Sequence, residues 1–286
     1  MNRLRKIVKA IDGFQQRHHL TGFTYAVIKK YGHDEAGYKA ALLTYYSFLS
    51  LFPLLLIFTT VTNALIGKHA HLEAQVTHGV TDYFPLLGQQ LSSHVHTLRG
   101  SGLALIVGGL VAFYGTRGVA DVFRRHVQDM WGIPKQDREG FPKSLLKSLG
   151  LIIVGGFGFL LASVSSTLAS AGGHGWQFTA LSALVNLFIL FCLFTFLLNF
   201  SLPRHVTLKE TQAGALSAAI GLVILQTVGA RLLKHELKNL DALYSYFAVA
   251  LGLLFWIYLQ AQMLYYSVEI AVVSSRKLWP RSFGDQ

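Results

Sequence analysis

The chain has 286 residues, of which 52% are hydrophobic and only 14% are charged, whereas about a quarter of a soluble protein is usually charged. This composition excludes an ordinary soluble domain and indicates a membrane protein, while the single cysteine, Cys192, excludes an intramolecular disulfide and a cysteine metal cluster. A net charge of +11 is also typical of nucleic-acid binding, but in a membrane protein its meaning depends on which side of the bilayer the positive residues occupy.

Residues 1–39 form a basic segment in which eight Lys and Arg residues are interleaved with apolar ones. Helices with one basic and one apolar face lie in the bilayer interface, so this segment predicts an amphipathic helix on the cytoplasmic surface. No long apolar stretch and no small-residue cleavage site follow the basic start. We therefore expect no cleaved signal peptide here.

The first predicted span, about 40–64, lies in a run of 28 residues without Asp, Glu, Lys or Arg. A bilayer core of about 30 Å needs roughly 20 helical residues, so the run is long enough to cross. Pro53 lies inside it and cannot donate a backbone hydrogen bond. We expect the helix to kink at Pro53.

Residues 68–99 follow as an outer loop in which apolar residues recur every fourth position, which predicts a short helical hairpin outside the membrane. The loop contains two His-x-His pairs, formed by His69 with His71 and by His94 with His96. Such pairs can chelate a transition metal. No His-Glu-x-x-His motif accompanies them, so we expect solvated histidines and no metal site.

Four more uncharged runs predict five further spans, at about 101–124, 148–170, 179–201, 211–231 and 243–270. The third and fourth lie in a single run of 56 uncharged residues, which Gly172-Gly173-His174-Gly175 divides into a hairpin. The predicted fold is therefore an all-α integral membrane protein, with six transmembrane helices in a domain at 40–273 and a tail at 274–286.

The orientation follows from the positive residues. The two termini and the loops on the same side hold 20 Lys and Arg residues, whereas the opposite loops hold 5. Positive residues accumulate on the cytoplasmic side of membrane proteins. Both termini are therefore predicted to be cytoplasmic, and most of the net charge reflects topology.

Three stretches carry a resemblance to the YihY/BrkB family of bacterial inner-membrane proteins. They are the first-span sequence from Ala41 to Pro53, the region from Arg117 to Trp131, and the last-span sequence from Leu254 through Trp256 and Tyr258 to Glu269. One departure is Ser267-Val268-Glu269, where the family pattern has Gly-Ala-Glu. The resemblance implies six helices and an inner-membrane location; proposed family roles include permease-like transport, and some members were once labelled ribonuclease BN.

Arg117, Asp121 and Arg124 are spaced by four and three residues, so they share one face of a helix. Ionisable residues at membrane depth often line a substrate pathway. Here Arg117 would bind an anionic group through its planar guanidinium. The alternative is that Arg117 extends to the lipid headgroups and the other two are solvated.

Glu269 lies about 27 residues into the last span, so one interpretation places it at the cytoplasmic interface. The other places it inside the bundle, paired with Arg117 or Arg124, as a gate or proton carrier. Four aromatic residues complete the predicted pathway. Tyr45 and Tyr46 are also suited to anchoring at the interface, whereas the deeper Trp256 and Tyr258 need hydrogen-bond partners.

These residues favour a transporter or lipid-handling protein for an anionic amphiphile, without an enzymatic activity or a cofactor. Anionic lipid headgroups at the cytoplasmic face are the expected partners, and nucleic acid is not. A scaffold or assembly partner that transports nothing is the alternative. A ribonuclease is disfavoured because the cytoplasmic carboxylates are scattered and no acid–base pair or metal cluster is visible.

Overall fold

The computed structural model describes residues 19–66, 102–171, 175–203, 206–236 and 242–279, and the regular elements within these ranges are all helical. The predicted all-α class is thereby confirmed for this part of the chain. The described ranges contain seven α-helices: α1 at His19–His33, α2 at Ala36–Ile66, α3 at Gly102–Met130, α4 at Lys143–Ala171, α5 at Gly175–Ser201, α6 at Leu208–Glu236 and α7 at Ala242–Ser275.

Helices α2 to α7 are 27 to 34 residues long, more than the roughly 20 residues that cross a bilayer. Among the described residues, two stretches are both long and apolar enough to span, Ala180–Ser201 and Leu208–Gly229. Six spans therefore stay a prediction. The kink at Pro53 also stays a prediction, and α2 is one continuous helix through this residue.

The predicted outer hairpin at 68–99, with its four candidate metal ligands, lies outside the described residues. The first 18 residues and the last seven also lie outside them.

The six long helices form a closed ring. Each packs against the next along the chain, and α7 packs back against α2. Helix α3 also contacts α5 and α7, and its C-terminal half, with Ala120, Phe123 and Val127, is buried. Hydrogen bonds connect the ends of neighbouring helices. Gln128 of α3 donates to the Ser201 carbonyl at 2.8 Å, and Asn199 of α5 donates to the Thr211 hydroxyl.

The outward faces of the ring are apolar, which is the reverse of a soluble bundle and suits contact with lipid. Large hydrophobic side chains are exposed along four successive helices: Ile153, Phe157, Leu161, Leu181, Leu184, Phe188, Ile220, Ile224, Leu251, Leu254 and Phe255.

Helices α2 and α3 approach closely because α3 has glycines where it faces α2. A Cβ atom at Gly115 would lie 2.8 Å from the Ser50 Cβ, and one at Gly118 would lie 2.6 Å from Tyr46 Cδ1. Small residues permit this approach between helices in a membrane, where dispersion contacts replace the hydrophobic effect. The close packing fixes the turn of α3 that carries Arg117.

Helix α1 packs along the last helix. Ala26 and Val27 are buried with Val273, and Tyr31 stacks on Tyr266 with ring centroids 3.8 Å apart. The apolar face of α1 is thus covered by protein in the described structure. The predicted position of this segment at the bilayer surface is untested.

Candidate functional site

The three residues of the predicted polar stripe meet on one face of α3. Arg117 Nε lies 3.6 Å from Asp121 Oδ2, and Arg124 Nη2 lies 3.7 Å from Asp121 Oδ1. Asp121 is therefore the shared counter-ion of two arginines. The spacing of four and three residues produces this arrangement directly, since such positions are neighbours on a helix.

Two serines of α4 complete the stripe and were not among the residues that the sequence singled out. The Ser148 hydroxyl donates to Asp121, and Arg124 donates to the Ser144 hydroxyl. Their four-residue spacing at the start of the third predicted span was the available signal. It is weak because serine is common in membrane helices. These two hydrogen bonds hold α4 against α3. The term stripe is used below for the group made of Arg117, Asp121, Arg124, Ser144 and Ser148.

The loop between α3 and α4 covers one end of the stripe. Glu139 Oε2 lies 3.9 Å from Arg124 Nη1 and 3.0 Å from Lys147 Nζ. The loop is held in turn by Arg138, which donates to Asp129 at 2.6 Å. Glu139 thus adds a second carboxylate, and Lys147 a third cation, to the charged groups around the stripe.

The two arginines differ in how much of each side chain is exposed. The side chain of Arg124 is 3% exposed, whereas that of Arg117 is 43% exposed. One turn and two turns before Arg117, the outer face of α3 carries the exposed apolar side chains of Leu110, Phe113 and Tyr114. Arg117 therefore lies at the border between a polar cluster and an apolar surface.

Glu269 lies in the bundle, where its side chain is 0% exposed. Its partner is Lys30 of α1, whose Nζ lies 3.3 Å from Glu269 Oε2, and not Arg117 or Arg124 as the hypothesis of an α3 pairing required. Lys30 also contacts Asp34 and donates to the Met130 carbonyl at 3.0 Å. Lys30 was not among the predicted site residues because it belongs to a segment predicted to lie on the membrane surface.

A neutral histidine lies near the group formed by Lys30, Asp34 and Glu269. His126 Nδ1 and the Tyr265 hydroxyl share a hydrogen bond of 2.9 Å. His126 lies beyond the predicted span at 101–124, and burial, with a smaller effect of Lys39, lowers its pKa to about 4. At pH 7 the ring is uncharged, so His126 binds Tyr265 as a neutral hydrogen-bond partner.

The four aromatic candidates do not gather at one place. Tyr45 is exposed and meets Tyr46 edge-to-face, with ring centroids 5.5 Å apart, and Tyr46 lies against Gly118, next to Arg117. Trp256 is buried in a separate apolar cluster with Leu51. Tyr258 packs against the main core.

A metal site receives no support from the described residues, within which no group of three His, Cys, Asp or Glu side chains is placed to hold an ion. The candidates His69, His71, His94 and His96 lie outside these residues, and the prediction about them stays untested.

Comparison with known proteins gives one family and distant relatives. The family described as virulence factor BrkB matches residues 27–282. The UPF0761 membrane protein of Psychrobacter sp. (strain PRwf-1) is 23% identical over 97% of this chain, which spans only 53% of that protein. The inner membrane protein YhjD of Escherichia coli (strain K12) is 24% identical over 85% of this chain and 78% of its own. No solved structure matches the chain.

Proposed function

The chain belongs to the BrkB family, a family of membrane proteins, and from this premise we propose that it handles an anionic amphiphile in the bacterial inner membrane. The amphiphile is a lipid-like molecule with a phosphate or carboxylate head. We further propose that the protein works without enzymatic chemistry, as a transporter or lipid-handling protein with both termini in the cytoplasm.

The observation that carries this proposal is the position of Arg117. Its guanidinium has five N–H donors in a planar fork, and Asp121, at 3.6 Å, uses only part of them. The half-exposed remainder is free to bind a phosphate or carboxylate oxygen pair. The apolar tail of the same ligand would lie along the exposed side chains of Leu110, Phe113 and Tyr114.

The local charge favours an anion. Arg117, Arg124 and Lys147 are three cations, and Asp121 and Glu139 are two anions, so the ion-paired group carries one excess positive charge. In a membrane environment of low dielectric such an excess attracts a negative ligand more strongly than it would in water. The excess of Lys and Arg on the same side of the predicted topology supports a cytoplasmic position for this site, where anionic lipids add to the attraction.

Native mass spectrometry of the purified protein in mild detergent tests the proposal. We expect the wild type to retain one class of anionic lipid, and Arg117→Ala to lose it by about tenfold or more, because a charge-assisted hydrogen bond contributes about 1.5–3 kcal/mol. Arg125→Ala is the matched control, since it removes the same charge from an exposed position of the same helix. We expect Arg125→Ala to retain the lipid.

Two outcomes would contradict the proposal. Equal retention by Arg117→Ala and the wild type would remove Arg117 from the site. Retention of no particular lipid by the wild type would favour the alternative, a membrane scaffold or assembly partner that binds no amphiphile.

A further inference from the structure

We propose that Lys30, Asp34 and Glu269 form a buried proton-binding site that joins α1 to the rest of the bundle. This group is called the Lys30 cluster below. It is separate from the stripe on α3, so failure of the lipid-binding experiment would leave it unaffected.

The geometry gives two carboxylates a single ammonium group. Lys30 Nζ contacts Asp34 and lies 3.3 Å from Glu269 Oε2. Its remaining contact is the hydrogen bond to the Met130 carbonyl at 3.0 Å. Of the three N–H donors of the ammonium group, two are used by Asp34 and the Met130 carbonyl, and Glu269 is held by an ion contact.

The charges in contact do not balance. One cation and two carboxylates leave one excess negative charge. The side chains of Lys30, Asp34 and Glu269 are only 10%, 14% and 0% exposed, so water does not screen that charge. An uncompensated ion buried in this way costs several kcal/mol, and a carboxylate in such a place takes up a proton.

The other titratable groups around the cluster come from four helices. They are Tyr31 on α1, Lys39 on α2, His126 and Asp129 on α3, and Tyr258, Tyr265 and Tyr266 on α7. Burial raises the pKa of Tyr31 above its usual range, so its hydroxyl stays neutral, and the ring of His126 is uncharged; neither group changes the charge balance at pH 7. Lys39 forms no ion pair with Asp34 or Glu269 among the described residues, so a proton on a carboxylate is the remaining way to restore the charge balance of the cluster.

Hydrogen bonding leads to the same conclusion. Both oxygens of Glu269 are buried without a hydrogen-bond partner among the described residues, and the 3.3 Å contact with Lys30 is an ion contact only. An ionised carboxylate with no hydrogen bond is the least stable form of this group in a dry site. The protonated form is neutral and gains a donor, which the neighbouring carboxylate of Asp34 can accept.

The bound proton has a structural consequence. Lys30 belongs to α1, Asp34 to the turn that follows it, Glu269 to α7, and the Met130 carbonyl to α3, so the cluster ties three helices together. Loss of the proton would leave a net negative charge between α1 and α7. We therefore expect proton binding and the docking of α1 on α7 to be coupled.

Infrared spectroscopy of the reconstituted full chain at pH 7 tests the site, since a protonated carboxylic acid has its own carbonyl stretching band. We expect a band from one buried protonated carboxyl in the wild type and its loss in Glu269→Gln. Asp34→Asn should also lose it, because Glu269 and Lys30 then form a balanced pair. Glu35→Gln, at an exposed neighbouring position, should keep the band.

Folding is checked on the same samples. Glu269→Gln has the shape and charge of the protonated form, so we expect its thermal unfolding midpoint to lie within about 2 °C of the wild type. A fall well beyond that value would mean that Glu269 is ionised in the native protein, and it would overturn the proposal. A band that persists in Glu269→Gln would do the same.

A sodium ion is the competing occupant. In that case the wild type would show no protonated carboxyl, and its unfolding midpoint would rise with NaCl but not with an equal concentration of choline chloride. This combination would overturn the proton site in favour of a cation site.

Discussion

Arg117 and Arg124 lie two turns apart on the same helix face and share Asp121, yet they have different surroundings. Arg117 is half-exposed beside an apolar surface, where a ligand can reach it. Arg124 is buried, donates to Ser144 of α4, and lies near Glu139 of the following loop. Arg117 is thus available for binding, whereas Arg124 holds α4 and its loop on α3.

Removal of Arg124 therefore tests a structural role. We expect Arg124→Ala to lower the free energy of unfolding by about 3–5 kcal/mol, because the largely buried carboxylate of Asp121 loses one of its two arginine partners. Unfolding in mixed micelles with increasing denaturing detergent gives this quantity. The exposed Arg125→Ala should change it by less than about 0.5 kcal/mol. Similar losses in the two variants would contradict the assignment.

At the scale of helices, the contact between α6 and α7 depends on Gly214. A Cβ atom there would lie 2.5 Å from the Ser267 carbonyl oxygen and 2.7 Å from the Ala271 Cβ. The first of these is a backbone atom of a helix, which cannot move aside as a flexible side chain can. The small residue that permits this contact is therefore the glycine of α6.

Gly214→Ala should consequently weaken the α6–α7 contact. We expect a loss of about 1–3 kcal/mol in the free energy of unfolding, the usual cost of overpacking. Gly156→Ala in α4 is the control, because a Cβ atom there meets nothing within 4 Å. It should be neutral or stabilise by up to about 1 kcal/mol through helix propensity. Denaturation of both variants in detergent measures these changes in the free energy of unfolding. No change in Gly214→Ala would show that α7 can shift to make room for the added methyl group.

At the scale of the whole molecule, the ring of six long helices and the distribution of Lys and Arg together predict one orientation. The loop between α3 and α4, which carries Glu139, would be cytoplasmic, and residues 172–174 would be external. This orientation matters for function because it puts the stripe in reach of the anionic inner leaflet.

Cysteine labelling tests the orientation, since Cys192 is the only cysteine of the chain. In a Cys192→Ser background, a membrane-impermeant maleimide should label Gly173→Cys in intact spheroplasts. It should label Lys135→Cys only after the membrane is opened. The reverse pattern would mean that the termini are external and would move the stripe to the outer leaflet.

The sequence by itself determined the helical class and, for the long helices that the structure describes, their approximate extent. Predicted spans at 148–170 and 179–201 fall within α4 and α5, because an uncharged run and the Gly-rich break that ends it are local features. The common face of Arg117, Asp121 and Arg124 was equally predictable, since four- and three-residue spacings are fixed by helix geometry.

Only the tertiary structure decided which residues meet across the bundle. It paired Glu269 with Lys30, brought Ser148 to Asp121, and buried Arg124 while leaving Arg117 half-exposed. Lys30 lies on α1 and Glu269 on α7, and no periodicity relates them. Their contact follows from how α1 packs along α7, and such packing depends on the shapes of whole helix faces.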